Sequence, residues 1–429
     1  MSEPPDGFKQ TEIGLIPEEW EIAELGNVCQ HRRELVEPQR NGATRYVGLE
    51  HIDSGNPKLQ RYGSASEVRS SKSRFRAGDV LYGKLRPYLD KAVLAEWGGI
   101  CSTDILVFKA IEEQTTPEFL VHLLHSPDFL AHAINTTSGV NHPRTSWSDI
   151  KTFKFPLPPL PDQRAIAHVL SKIQAAAQAQ AAIAGRAREL KRALMAKLFT
   201  EGLRGDNVTE WIEHPLYGSV PRHWFAGTLG DLCKDGHGVI QTGPFGSQLH
   251  ASDYKETGIP VVNPTHLADN RVIHEAIPLI SKEDHRRLSR HILRRGDILF
   301  ARRGEIGRHA LITAEENDWL CGTGCFLVRV KNPSVDNAFL SWFLCTEPCQ
   351  LWLKAHAVGS IMPNLNTKVL QAVPVVLPPI DEQREIASIL QTVDAKIAAA
   401  ERKRAGLEEL FRAMLGELMA GRVRVKTLP

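Results

Sequence analysis

Two stretches of the chain carry apolar residues at alternating steps of four and three. In the later one Ile386, Leu390, Val393, Ile397, Ala400, Leu407, Phe411, Met414 and Leu418 form the series, and only Arg404 interrupts it. In the earlier one Ile166, Leu170, Ile173, Leu194 and Leu198 are joined through Ala177, Gln180, Ala184, Ala187 and Lys191. Such spacing keeps one stripe of an α-helix apolar and lets it pack at coiled-coil spacing. Each predicted helix has about 38 residues, hence a length of about 57 Å. Pro161, and Asp381 with Glu382, suit the helix starts. Gly202 and Gly205 suit the first end, and Gly421 the second. An exposed stripe that long needs a partner. The shared length and register favour antiparallel pairing of the two helices over a bundle of separate chains.

The rest of the pattern is written twice. Pro17 and Trp20 fall on Pro221 and Trp224 at an offset of 204, as Leu25-Gly26 falls on Leu229-Gly230. Arg76-Ala77-Gly78-Asp79 falls on Arg294-Arg295-Gly296-Asp297 at 218. Cys101, Phe119, Gly139, Leu157-Pro158-Pro159 and Gln163-Arg164 then find their partners at 220. A period near half the chain is one duplication of a domain-plus-helix unit, not a solenoid.

Within each half, short β-like runs come first. They are Tyr46–Leu49, Val80–Tyr82 and Ile105–Phe108, then Ile259–Val262, Ile298–Phe300 and Phe326–Val330. A helical stretch follows (Pro117 to Ala133, Asn337 to Ala355), then a Pro-rich extended segment, then the long helix. The expected fold is α+β: two globular domains of small β-sheets and short helices, separated by two long helices packed as an antiparallel coiled coil with a pseudo-two-fold internal repeat. The expected boundaries are 1–161, 162–204, 205–380 and 381–429.

Composition narrows the class. With 429 residues, 42% hydrophobic and 24% charged, the chain is long enough for two cores and is not a disordered sequence. No apolar run approaches the roughly 18 residues of a membrane span, and Met1–Asp6 does not open a secretory signal. Seven sparse cysteines suit a reducing cytoplasm better than a disulfide framework. A net charge of +2 does not announce a nucleic-acid binder, so any basic surface is local, as at Arg286, Arg287, Arg290, Arg294 and Arg295.

Catalytic signatures fall short. Gly78 to Lys84 spells most of a phosphate loop, but Leu85 stands where a Ser or Thr would hold magnesium, and Arg86-Pro87 where a helix would begin. Strand and turn is the better reading. The Pro-Pro pairs follow Leu157 and Leu377, unlike an amino-methyltransferase motif, and Asp394-Ala395-Lys396 lies inside the heptad helix. Cys321, Cys325, Cys345 and Cys349 offer zinc spacing, but the first half repeats only Cys101, so core cysteines are favoured and no metal is expected.

Several segments together resemble the specificity subunits of type I restriction–modification systems. The opening Thr11–Trp20, the runs Tyr46–Ile52 and Thr242–Leu249, and the duplicated Leu-Pro-Pro-x-x-x-Gln-Arg-x-Ile-Ala at 157–167 and 377–387 carry the resemblance. It implies a non-catalytic DNA-recognition subunit. Each half would read one part of a split, asymmetric target in double-stranded DNA, and the helices would set the gap. Two methyltransferase subunits and motor/nuclease subunits would be partners. S-adenosylmethionine, ATP and magnesium would belong to those partners, with no cofactor on this chain.

Base reading requires donors and acceptors aimed into a groove, while phosphate contacts supply register. The candidates in the first half are Lys84, Arg86, Tyr88, Lys91, Ser138, Asn141, His142, Arg144 and Thr145. In the second they are Gln241, Thr242, Ser247, Gln248, His250, Arg302, Arg303, Arg308, Ser360, Asn364, Asn366 and Lys368. The loops 138–146 and 358–366 are repeat-equivalent. Gly243, Pro244 and Gly246 read as turn formers. Two alternatives stay open: a self-sufficient DNA methyltransferase or nuclease, and a structural spacer without DNA function.

Overall fold

A computed structural model describes residues 4–38, 44–204, 208–245, 248–359 and 364–425. Its contacts divide the chain into two compact units: 1–182 with 400–429, and 183–399. Both cuts fall inside the long helices, Leu160–Leu198 and Ile380–Met419, so each unit owns part of both.

The first unit is built on a four-stranded antiparallel sheet in the order Ala92–Leu94, Val80–Gly83, Ile105–Ala110, Cys29–His31. Alternation of side chains decides what each face touches. Val80, Tyr82, Leu106 and Phe108 enter a core shared with the short helices and with Ile166, Leu170, Leu415 and Leu418. Leu81, Val93, Ile105 and Val107 enter a second core with Val47, Phe75 and Cys101 of a five-stranded sheet. Burial on both faces explains why these strands read as unbroken apolar runs although they pair antiparallel.

The second unit repeats this plan. His309–Leu311, Ile298–Ala301, Cys325–Val330 and Gly238–Thr242 lie in the equivalent order. Ile298, Phe300, Phe326 and Val328 share a core with Leu198, Ile386 and Leu390. Leu299, Leu327, Cys321 and Cys325 face a smaller core. The strand expected from Tyr46 stops at Val47, where Leu49–His51 turns as a 3₁₀ helix. Each expected short helix is two helices. Pro127–Asn135 restarts after Pro117–Leu123, with Ser126 capping it, and Glu347–His356 restarts after Asn337–Leu344, with Pro348 in its first turn. Proline fits a first turn but not a helix interior.

The duplicated Leu-Pro-Pro-x-x-x-Gln element has a clear structural role. Gln163 is fully buried, yet every hydrogen-bonding group of its amide is used. Its Oε1 accepts from the Thr115 hydroxyl at 2.9 Å and the Thr116 N–H at 3.1 Å, and its Nε2 donates to the carbonyls of Gln114 at 2.8 Å and Pro158 at 2.9 Å. Gln383 does the same in the second unit. It accepts from Asp336 N at 2.9 Å and donates to Ser334 O at 2.9 Å and Pro378 O at 2.7 Å. Thr116 and Asp336 are the N-caps of Pro117–Leu123 and Asn337–Leu344. One side chain thus fixes the start of each long helix to the capped end of a short one.

The Pro-x-x-Trp segments close the opposite corner. Gly421 has φ +70°, and a Cβ there would lie 2.5 Å from Pro17 Cδ and 3.0 Å from Trp20 Cζ3. Gly202, with φ +74°, stands in the same relation to Trp224 and Glu382. Glu382 Oε1 accepts the Leu203 N–H at 2.7 Å.

Every apolar residue of the expected seam is buried or half-buried, from Ile166, Leu170, Ile173, Leu194 and Leu198 to Ile386, Leu390, Val393, Ile397, Leu407, Phe411, Met414 and Leu418. Arg404 is exposed. Lys191, a polar step of the seam, pairs with Asp394 at 2.6 Å and lies 3.8 Å from the Trp342 ring centre. Among the described residues no helix is long and apolar enough to cross a membrane.

Replacing Gln383 by Leu strands a buried backbone N–H and two carbonyls, which costs about 2–4 kcal/mol. Urea denaturation followed by intrinsic tryptophan fluorescence checks this. A loss below about 0.5 kcal/mol would show that water can take over the bonds.

Candidate nucleic-acid interface

The strand Val80–Gly83 is entered by a tight turn and left by a polar one. Gly78 has φ +86° and Gly296 φ +89°, values that suit glycine at this bend. The following aspartate is buried in both units. Asp79 accepts from Arg76 N at 2.8 Å and from Arg32 Nε at 3.1 Å, while Asp297 accepts from Arg294 N and Arg329 Nε, both at 2.7 Å. The segment that mimics a phosphate loop is thus a buried strand with an ion-paired aspartate before it.

Beyond that strand three segments meet, in the same way in each unit. In the first, Lys84 N donates to Asp104 O at 2.9 Å, Thr145 N to Lys84 O at 3.1 Å, and Arg86 N to Pro143 O at 2.7 Å. Bridges join Leu85 to Arg144 and Ser138 to Arg144. In the second, Arg302 N donates to Gly324 O at 2.8 Å and Leu365 N to Arg302 O at 3.0 Å. Bridges join Arg303 to Asn364 and Val358 to Asn364. These partners are the repeat-equivalents of the first set. The result is a platform made of a strand-end turn, the loop 138–145 or, in the second unit, Val358, Asn364 and Leu365, and the turn before the longest strand.

The sequence candidates take different places on it. Arg86, Tyr88, Ser138, Asn141 and His142 are exposed, and Lys84 and Arg144 half-buried. Arg86 holds φ +52°, a strained left-handed conformation for arginine. Val140 at the loop tip is 99% exposed. Thr145 is buried, its hydroxyl 3.0 Å from that of Thr136, and the Lys91 ammonium donates to Leu49 O, so these two serve the scaffold. Arg144 is clasped by Asp104, with Nε to Oδ1 at 3.0 Å and Nη2 to Oδ2 at 3.4 Å, and this pair raises its pKa.

In the second unit Arg303, Asn366 and Lys368 are exposed, and Arg302, Arg308 and Asn364 half-buried. Arg302 Nε donates to Asn364 Oδ1 at 3.2 Å, and Asn366 caps Thr367–Gln371 through Val369 N at 2.9 Å. Thr242 ends its strand beside the platform. Gly243 is needed there because a Cβ would lie 2.2 Å from Gly322 O. Gln241 donates to Arg290 O at 2.6 Å. Gln248 and His250 lie on a turn farther along, tied to Arg287 and Asp253. Ser247 and Ser360 lie outside the described residues, as does Gly246.

Two contributors escaped the sequence reading. Asp104 carries no motif, and its importance appears only with Arg144 beside it. Arg33 is the other. His31 pairs with Phe108 and Ile240 with the repeat-equivalent Val328, so Arg33 occupies the place of Thr242. Burial first, then the charges of Arg33 and Lys84, lowers the pKa of His31. The strand register would have revealed Arg33, but the repeat offset drifts there.

Metal ligation finds little support. Cys321 and Cys325 belong to one core and Cys345 and Cys349 to another, and burial raises the thiol pKa of Cys349 to about 12. Among the described residues only His274, Glu315 and Glu316 bring three ligand atoms together. There Glu316 is already satisfied by His274 at 2.7 Å and by Thr313 N at 2.9 Å and Oγ1 at 2.6 Å.

Against this geometry the comparisons give a consistent identity. Residues 17–183 and 221–409 match the family model described as the type I restriction modification DNA specificity domain. The class is therefore that of DNA specificity proteins carrying two copies of one recognition domain. This chain belongs to the type I restriction–modification specificity subunit family. The MjaVIII specificity subunit of Methanocaldococcus jannaschii is 22% identical over 449 residues, covering 99% of this chain and 97% of that protein. The type I system S subunit of M. genitalium shares the fold at a TM-score of 0.61 and 16% identity, over 93% of this chain and 96% of that one. A chain solved in work on complex assembly and conformational transition of the type I R-M system has a TM-score of 0.56 and 24% identity, over 95% and 99%.

His309, at the start of the strand His309–Leu311, is buried in the second unit. Its Nδ1 lies 2.8 Å from Gly307 O and its Nε2 2.9 Å from Ser341 O. Both partners are acceptors, so both ring nitrogens donate. Burial alone lowers its pKa, but the Cys345 sulfur at 3.5 Å and the two carbonyls outweigh it and raise the value to about 9. A raised folded-state pKa gives stability that is complete below the unfolded value near 6.5 and is lost as pH rises through about 9. Unfolding free energy should therefore fall by on the order of 2–3 kcal/mol more between pH 6.5 and 9.5 in the wild type than in His309→Gln. Parallel curves for the two proteins would remove the charge from this site.

Proposed function

We propose that the chain is the non-catalytic DNA-reading subunit of a type I restriction–modification complex. Each unit reads one part of a bipartite, asymmetric target, and the two long helices set the gap between the parts. The observation that carries this is the duplicated platform: one backbone frame, repeated at offsets of 218 and 220, with different side chains on it. Lys84, Asp104 and Arg144 in one copy become Arg302, Gly324 and Asn364 in the other. A conserved frame with changed polar groups suits two readers of different sequences.

We read the long helices as an antiparallel coiled coil relating the halves by a pseudo-two-fold. In support, the start of one helix shares a core with the end of the other within each unit. Two methyltransferase subunits and the motor/nuclease subunits are the proposed partners, with S-adenosylmethionine, ATP and magnesium held by them. The name of the neighbour solved for type I complex assembly supports that assignment. Restriction–modification acts on intracellular DNA, which places the assembly in the cytoplasm.

Mapping methyl-adenine in host DNA with and without this gene tests the reading. The expected result is a two-part motif that disappears with the gene. Methyl transfer by the purified chain alone, given duplex DNA and S-adenosylmethionine, would overturn the non-catalytic assignment. Loss of salt-dependent, sequence-preferring DNA binding by the complex would favour a bare spacer. Deleting one heptad from each helix removes about 10 Å and should shorten the gap by about 3 base pairs while leaving both half-motifs intact. A changed half-motif with an unchanged gap would refute the ruler.

A further inference from the structure

Two kinds of cation stand on the two platforms, apart from Arg308, whose Nε is buried without a partner, and Arg33, whose Nε donates to His31 Nδ1 at 3.2 Å. Lys84, Arg86, Arg303 and Lys368 make no side-chain hydrogen bond to any described residue. Such freely rotating cations suit phosphate oxygens, which ask for charge and not for angle. Arg144 and Arg302 differ, because each guanidinium is pinned through its Nε. Asp104 takes the Nε and Nη2 of Arg144, and Asn364 Oδ1 takes the Nε of Arg302. The anchors come from different segments. In the first unit the arginine is on the loop and its acceptor on the turn before the strand Ile105–Ala110. In the second the arginine is on the strand-end turn and its acceptor on the loop.

A guanidinium gripped at Nε presents its far end, and this is the edge that can donate two parallel hydrogen bonds. Arg302 has no partner on either Nη among the described residues. Arg144 keeps its Nη1 and the outer hydrogen of Nη2, with only a long 3.4 Å contact from Nη1 to His142 O. Pinning removes rotamer freedom before DNA arrives and fixes the direction of the fork. In the major groove the matching pair of acceptors is O6 and N7 of guanine. Adenine replaces O6 with a donor, so a fixed fork rejects it.

We infer that each recognition domain reads one guanine through a pinned arginine, Arg144 held by Asp104 in the first and Arg302 held by Asn364 in the second. This rests on the DNA-specificity reading above and names which residues discriminate and for which base. Asp104 and Asn364 are positioning residues, acting through the arginines.

The test uses the full-length chain co-expressed with its methyltransferase subunit, with motifs mapped by methyl-adenine sequencing. The wild-type motif should hold a G·C pair in each half. Arg144→Lys keeps the charge but removes the fork. It should relax one G·C position of one half-motif, lowering discrimination there about ten-fold or more, and leave the other half unchanged. Arg302→Lys should do the same in the opposite half. Asp104→Ala, which removes the acceptor of the Arg144 Nε, should relax the same position as Arg144→Lys, and the salt dependence of binding should keep its slope in all three variants. The retained half-motif reports that each variant is folded. A half-motif without G·C, an unchanged motif in the lysine variants, or loss of both halves together would each overturn the inference. If the wild type yields no two-part motif, it is the specificity reading itself that fails.

Discussion

The saturated amides of Gln163 and Gln383 tie together parts of the structure that would otherwise be independent. Each sits where a Pro-Pro segment becomes a long helix, and each satisfies the cap region of a short helix from the neighbouring domain core. Burial makes these bonds directional as well as stabilising, because any rotation of the long helix would orphan several polar groups at once. The angle at which a recognition domain leaves its helix is therefore set by hydrogen-bond geometry, and the apolar packing around Ile166 and Ile386 fills in behind it. A leucine at either position would bury as much surface and specify much less.

Much of this was legible in the sequence because two periodicities carried it. The four-three spacing located the starts of both long helices to within two residues, although they end at Leu198 and Met419, short of the expected 204 and 429, and the drifting repeat offset located the matching strands. In the repeated loops, Pro143 to Thr145 and Asn364 with Leu365 meet the strand-end turns. The sequence did not show the break of each short helix, although Ser126-Pro127 carries a cap and a proline that mark it. It could not show that Lys91 is spent on a backbone carbonyl, since a lysine on a turn looks the same whether it faces solvent or Leu49. Nor did it show Asp104 or Arg33, which gain meaning only through a partner distant in sequence.

A net charge of +2 is compatible with the proposed DNA-reading surface because several acidic residues are paired within the fold. Asp79 and Asp297 neutralise Arg32 and Arg329 inside the fold, and Asp104 orients Arg144 without removing it from the surface. Lys84, Arg86 and Arg303 lack such partners among the described residues and stand on the turns of the platforms. Local arrangement, not overall charge, decides where a polyanion would settle.

The division of the chain has a consequence for biosynthesis. The second unit is one continuous stretch, 183–399, whereas the first takes 1–182 and must wait for 400–429. Leu415, Leu418 and Met419 are walls of the same core as Trp20, Phe119 and Ile166. A ribosome reading from the N-terminus thus releases a first domain with an open apolar side, and the domain made later completes its core earlier. Contacts spanning about four hundred residues must form last, the slowest kind to find and the most exposed to aggregation meanwhile. The domain synthesised first is the last to be finished.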